Sequence, residues 1–501
     1  MRFTHPAIGA GAATAAVLVA LTSCSSGAPA PTTSELRLGI IGSADDTATP
    51  YTPTQSTSQF ALREHVYDGL TYAEADGTVV MALAESMEPN ADLTEWTIAV
   101  RPGVVAHDGS AFDADDVVSS IREILDPETS ASGARLLDFI DPARITKVDE
   151  LTVTLGLNRP TALVPDVFSN ERVVMRADGA DGEPVGTGPF TLDEFTPGQQ
   201  ASLTRFDDFW GDAPAYEHLT IRFFQDQQAV TNALRGGQID IADHVPFSEV
   251  ESLEGEDDLE LLISDTNAAP TLSFRRDLPP FDDDRVYEAM RLILDREQFV
   301  TNAFNGFATV GTDALGPVPG CPAPDFAAPE PDPERAKALL AEAGQSGLSF
   351  ELVTDGADAG MAESAQLFAQ QAAEAGVTVE VRQMDVASFL AKWGEWPAYI
   401  GAIGGPYSTA ARNYYLPGQS NNATHFDDPE YTALADEYAS IVQPEERCDV
   451  AAKMQRIAAE HGGNLMPALS QNVTAYRAGI TGLEDNVYGR TGYRLRHVAL
   501  G

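Results

Sequence analysis

Residues 35–41, Glu-Leu-Arg-Leu-Gly-Ile-Ile, alternate apolar side chains with polar or small ones, and that period of two predicts a strand. The apolar spacing changes to threes and fours over SQFALREHVYDGL, residues 58–70, which predicts a helix with Gly69 as its stop. EWTIAV, residues 95–100, returns to strand alternation, and RPGVVAHDGS turns after it. DADDVVSSIREIL, residues 113–125, opens on acids that suit a helix N-terminus. RITKVDELTVTLGL, residues 144–157, reads as a hairpin turning at Asp149-Glu150. The strand HLTIRFF, residues 218–224, is followed by the helical DQQAVTNALRGG and the short strand IDIA. Two amphipathic patterns predict helices over residues 284–304 and 332–344. SFELVT and TVEVRQM flank the helical MAESAQLFAQQAAEAG, a β-α-β unit that predicts a parallel pair with a right-handed crossover. The class is α/β, with both hairpin and crossover regions.

Length adds a domain count. At 501 residues the chain exceeds one ordinary core, so two or three domains are expected. Charge adds an exclusion. The 76 acids stand against 31 Lys and Arg, a formal net charge of -45. A nucleic-acid binder needs clustered cations to neutralise phosphates, and no such run exists.

The N-terminus adds a location. A short n-region, MRFTHP, precedes an apolar run from Ala7 to Ala20 that falls below the roughly 20 residues of a membrane span. LTSC follows and resembles a bacterial lipobox, in which Cys24 would take a diacylglyceryl group and become the first residue of the mature chain. Residues 1–23 are then a lipoprotein signal peptide. Residues 24–35, rich in Ser, Pro and Thr, are a tether that holds the folded body on the extracytoplasmic face of the cell membrane. Export makes the surroundings oxidising, so the two remaining cysteines, Cys321 and Cys448, are expected to pair.

Catalytic patterns are missing. The chain has no G-x-S-x-G elbow, no H-E-x-x-H, no paired C-x-x-C and no Walker lysine. VGTGPF, residues 185–190, opens no predicted helix, and HDGSAFDADD, residues 107–116, lacks the ligand alternation of a calcium loop. No enzyme, cofactor, metal or ATP site is expected.

HVYDGLTY, ALAESMEPNADLTEWTIAVRPGVVAHDGSAFDADDVVSSI, VGTGPF, RFDDFWGDAPAYEHLTIRF, DRVYEAMRLILDREQFV and DPERAKALLAEAG follow one another in an order that resembles the extracellular solute-binding proteins of family 5, the peptide- and nickel-type receptors of ABC importers. The resemblance implies a type II periplasmic-binding-protein-like fold of three domains with a ligand cleft between two lobes. Domain I would comprise residues 36–57, 188–265 and 485–501, domain II residues 58–187, and domain III residues 266–484. A monomeric receptor would close on a small solute or peptide and deliver it to ABC permease subunits. The alternatives are a same-fold receptor for a non-peptide solute, carboxylate-bearing or sugar-like, or a sensory lipoprotein on this fold that presents ligand to a signalling partner.

One stretch then stands out. Between Glu395 and Asp427 lies no acid at all, where the chain's own acid density would place roughly five. The resemblance puts this stretch on the domain III face of the cleft. Gly404-Gly405-Pro406 would bring backbone close to ligand. Tyr407, Tyr414 and Tyr415 offer flat apolar area with a polar tip, and Asn413, Asn421 and Asn422 offer donors and acceptors. Arg412, the stretch's one charged side chain, would fork onto a carboxylate, with Arg275 as a second candidate. Peptide receptors of the family place an Asp here against the ligand's ammonium, and this chain lacks it. Either Asp45 or Asp46 supplies that carboxylate, or the buried end of the ligand is not a free amine. A bare nickel ion is disfavoured, since no His cluster occurs.

Overall fold

The structure, a computed structural model, describes residues 34–53, 56–179, 183–356, 359–489 and 494–501. The lipobox cysteine Cys24 and the tether up to residue 33 lie outside the described residues.

The largest sheet orders its strands Phe190–Thr196, Gln200–Arg205, His218–Phe224, Glu35–Ile41, Ile241–Ala242, Ala468–Arg477 and Leu259–Asp265, with Ala308–Val310 added on Ala468–Arg477. Its centre is parallel, Glu35–Ile41 against His218–Phe224, and its edges are antiparallel. A second sheet runs Thr378–Gln383, Ser349–Thr354, Ala398–Ile403, Ala269–Phe274 and Asn464–Leu465. Its Ser349–Thr354 and Thr378–Gln383 strands are parallel, as the β-α-β pattern requires. A third, antiparallel sheet orders Ala84–Pro89, Glu95–Val100, Thr152–Leu157 and Ile140–Asp149.

Two of the clusters of buried apolar side chains mark two lobes. One continuous core joins the first and third sheets and includes Leu38, Trp96, Ile121 and Phe190. A separate core around the second sheet includes Leu272, Tyr287, Phe299 and Phe368. Besides the excursion to Ala308–Val310 and back, two short connections pass between the first and second sheets, 265 to 269 and 465 to 468, and they run side by side. Thr266 Oγ1 donates to Ser470 O at 2.6 Å and Ser470 N to Ala268 O at 2.9 Å, which ties the first connection to the strand that follows the second.

Local signals account for most helices. Asp113 caps Ala114–Leu125 with a capping box: Asp115 N donates to Asp113 Oδ1 and Asp113 N to Asp116 Oδ2, both at 2.6 Å. Three expectations change. The 58–70 helix spans only Thr57–Val66, because Asp68–Gly69 pairs as a strand with Val174–Met175. Gly69 serves that close approach, since a Cβ there would meet Thr71 O at 2.6 Å and Phe168 O at 2.7 Å. The 284–304 helix breaks after Asp284–Ile293, and Asp295 caps a new turn, Arg296–Gln298. In an unbroken helix residues 291 and 296 would point about 140° apart. The break lets both turn to Asp313, which is 0% exposed and lies 2.7 Å from Arg296 Nη2 and 3.4 Å from Arg291 Nε. Finally Ala468–Arg477, expected within the 266–484 body, belongs to the first sheet through its ladders with Leu259–Asp265 and Ile241–Ala242.

Cys321 and Cys448 form a disulfide with Cα atoms 5.4 Å apart. It fastens the loop at 321 to the start of the Cys448–His461 helix.

Candidate functional site

The acid-free stretch is strand, turn and helix. Ala398–Ile403 ends at Gly404, where a Cβ would stand 3.3 Å from Ala268 Cα, so the turn packs directly on the connection between the lobes. Gly405 takes φ +98°, a region that favours glycine. Asn267 clasps the turn from both sides: its Nδ2 donates to Gly405 O at 2.5 Å and its Oδ1 accepts from Gly405 N at 3.2 Å. Pro406 then starts the helix Tyr407–Tyr415.

Helical geometry sorts the expected ligand residues onto different faces. Tyr407 and Tyr415 point into the core. Tyr407 is 3% exposed, donates to Ala451 O at 3.2 Å and meets Tyr438 edge-on, so it faces away from any cleft. Ser408, Arg412 and Asn413 share another face and line a cavity of about 430 Å³. Across it stand Arg135, Asp138 and Arg159 of the other lobe. Arg412 is half-buried and makes no side-chain hydrogen bond or ion pair among the described residues. Burial and the nearby Arg159 both hold its guanidinium below the usual arginine range. Arg159 itself is bonded to Asp138, and Arg135 Nη1 donates to Ser420 Oγ at 2.7 Å, lobe to lobe. Tyr414, seven residues after Tyr407, returns to that residue's side of the helix at its last turn and packs partly against the same core. Burial raises its phenol, and Arg172 of the other lobe and the Gly404 backbone pull it back down.

The remaining candidates have other work. Arg275 engages all three guanidinium nitrogens, Nε and Nη2 on Asp277 at 2.6 and 2.7 Å and Nη1 on Gly394 O at 2.5 Å. Asp46 is 2% exposed and accepts from Ser43 N at 2.7 Å, Ser56 Oγ at 2.6 Å and Ser58 Oγ, so its carboxylate ties down the loop before a helix rather than facing ligand. Asp45 is exposed, and its backbone N–H donates to Ser43 Oγ at 3.2 Å. Asn422 is buried and bridges Leu416 O and Phe426 O with its Nδ2. Among the described residues no three His, Cys, Asp or Glu side chains gather as a metal site, and no helix is long and apolar enough to cross a membrane.

Sequence reasoning missed a second cluster on the opposing lobe. Arg63 of Thr57–Val66 is 2% exposed, and Glu171 is 3% exposed. Arg63 and Arg172 place their Cζ atoms 5.7 and 5.6 Å from the centre of one ring, Phe60. Arg172 Nε and Glu171 Oε1 stand 4.0 Å apart. Burial pushes the Arg63 guanidinium down to about 10, Glu171 raises it again and Arg172 lowers it. A signal existed: Arg63 sits on the same helical stripe as Gln59, Leu62 and Val66, where an uncompensated cation is out of place.

A family model described as bacterial extracellular solute-binding proteins, family 5 Middle, matches residues 78–425. Over 366 residues the chain is 28% identical to the glutathione-binding protein GsiB of Pectobacterium atrosepticum, with 70% of each chain covered. Among solved structures, AgaA of A. tumefaciens R10 in complex with agropinic acid is 26% identical and aligns with a TM-score of 0.77 over 93% of this chain and 99% of that one. DppA of Helicobacter pylori in complex with the peptide STSA is 19% identical, with a TM-score of 0.78 over 93% and 98%, a likeness of fold.

Proposed function

Because the chain belongs to family 5 of the bacterial extracellular solute-binding proteins, we propose that it is the capture receptor of an ABC importer for peptides or peptide-like solutes. The observation that carries the reading is the placement of the Gly404-Gly405-Pro406 turn and the Tyr407–Tyr415 helix. They project from the lobe of the second sheet toward the other lobe, next to the paired connections at 265–269 and 465–468. Two short adjacent connections suit a hinge. In this reading domain I is residues 36–57, 188–265 and the chain from 468 onward. Domain II is residues 58–187, domain III residues 266–467, and ligand is gripped between them. Relatives named for glutathione and for a peptide complex make tripeptide-sized solutes the first probes. Arg412, Asn413 and Tyr414 are the helix's contributions to that grip. Cys24 carries the lipid anchor, and permease subunits receive the solute.

The test joins binding and shape. Calorimetry with glutathione and with trialanine should show saturable heat, and small-angle scattering should show a smaller radius of gyration at saturation than without solute. A radius unchanged at saturation counts against hinge closure. Anchoring is tested separately: Cys24→Ser should move the protein from the membrane fraction to the medium, and a variant that stays in the membrane with unchanged mass refutes the lipid anchor.

A further inference from the structure

We infer that Arg63 is the seat of a carboxylate on the bound solute, so that the receptor selects solutes by an anionic end held on the lobe opposite the acid-free stretch. This rests on the receptor reading above and names the ligand chemistry of that site. Arg63 is 2% exposed, yet its Nε, Nη1 and Nη2 are buried with no hydrogen-bond partner among the described residues. A guanidinium carries five N–H donors in a rigid fork. Taking such a group out of water is costly unless its donors are met. The neighbouring arginines of this lobe are already committed: Arg176 Nη2 donates to Glu123 at 2.7 Å, and Arg494 pairs with Glu64.

The charge balance points the same way. Arg63, Arg172 and Arg176 face Glu171 and Glu123, which leaves one positive charge in excess inside the cluster. The rest of the chain is strongly acidic, so a buried positive excess here is the exception to its composition. A planar carboxylate on Arg63 would take two parallel N–H donors and supply the missing negative charge. Phe60, between Arg63 and Arg172, gives a flat apolar wall beside it. Glu64 and Glu171 beside it line a space of about 20 Å³ together with Pro406 of the opposing lobe and Asn486 and Tyr488 of this one, enough for about one water molecule. Arg63 itself is buried and does not line this space, so a solute would reach it only when the lobes part.

The test uses the purified protein and four probes: glutathione, glutathione diethyl ester, trialanine and trialanine amide. Calorimetry should show the free acids binding about a hundredfold more tightly than their blocked forms, the scale of losing one partner of a buried charge pair. Arg63→Gln should abolish that difference, and Arg63→Lys, which keeps the charge but loses the fork, should restore only part of it. Equal binding of acid and blocked probe, or an undiminished preference in Arg63→Gln, overturns the assignment. If neither acid binds the unaltered protein, the peptide-receptor reading fails, and a second measurement still decides the role of Arg63. Without solute, Arg63→Met should raise the melting temperature, because it removes a buried cation whose donors are unmet. A lowered melting temperature would make Arg63 a structural residue and overturn the inference.

Discussion

Arg447 reaches from the lobe of the second sheet to Asp166 on the other lobe, its Nη1 at 3.1 and 3.2 Å from the two carboxylate oxygens. The guanidinium side chain is 4% exposed, and its Nη2 also donates to Ala162 O at 3.3 Å. Next to this pair Ala162 N donates to Ala439 O at 2.6 Å. These contacts join the lobes at a point far in sequence from the paired connections near 265 and 465, so they hold the lobes together rather than link them covalently.

Removing Asp166 should favour separation of the lobes. Asp166→Ala leaves Arg447 buried against carbonyls and the Tyr438 ring with no carboxylate, a loss of about 2–5 kcal/mol for the joined arrangement. Scattering should show a larger radius of gyration for Asp166→Ala than for the unaltered chain at saturating solute, together with weaker binding. Identical radii and affinities would mean that this pair does not hold closure.

Arg412 should matter for binding and little for stability. Among the described residues it has no side-chain hydrogen bond or ion pair to lose, and it lines the 430 Å³ cavity. Arg412→Ala is expected to weaken solute binding at least tenfold, about 1.4 kcal/mol, while the melting temperature of the solute-free protein stays nearly constant. Tyr407→Ala should do the reverse, because it empties a core position beside Tyr438. Calorimetry and thermal melts on the two variants separate the roles, and an Arg412→Ala variant that binds normally removes this residue from the site.

The uneven legibility of the chain has a physical basis. Ala114–Leu125 was readable because its cap and its apolar stripe lie within the helix itself. The break at Asp295 was not, because its cause, Asp313, is a contact made by the folded chain. Tyrosines look alike in sequence whether they line a cleft or a core, and only the 100° step of the helix puts Tyr407 inside and Arg412 at the cavity. Asp46 looked like a ligand carboxylate, although Ser56 and Ser58 nearby are the partners that commit it. The Arg447–Asp166 pair spans 281 positions and leaves no local trace. Arg63 did leave one, a cation on a buried helical stripe, and it points to the opposing lobe that composition alone could not pick out.

The Cys321–Cys448 bridge spans 127 positions. In the chain-entropy account a loop of that length restricts the unfolded chain by about 4–5 kcal/mol. Peptide mapping without reductant should return one linked pair of peptides containing Cys321 and Cys448 that separates on reduction. The double Cys321→Ser, Cys448→Ser variant should unfold at lower denaturant by up to that amount, and two separate thiol peptides before reduction would refute the bridge.

Asp68 and His65 should pull the stability of this lobe in opposite directions with pH. Burial pushes the Asp68 carboxyl up to about 6, against the bonds it accepts from Trp210 Nε1 at 2.8 Å and Thr187 Oγ1 at 3.0 Å. Burial pushes the His65 imidazole down to about 4, against the pull of Ala61 O at 2.7 Å. Between pH 4 and 6 the folded Asp68 keeps a proton that the unfolded chain has lost, so its contribution to stability falls as pH rises. Over nearly the same window the unfolded His65 holds a proton that the folded form refuses, so its contribution rises with pH. Each shift corresponds to about 3 kcal/mol, and the two nearly cancel. Asp68→Asn should therefore make stability climb more steeply from pH 4 to 6 than in the unaltered protein, and His65→Phe should make it climb less or fall. Denaturant titrations of both variants at pH 4, 5 and 6 measure the two slopes. Slopes that match the unaltered protein would show that neither group titrates differently in the folded chain, and that the burial of this pair carries no pH dependence.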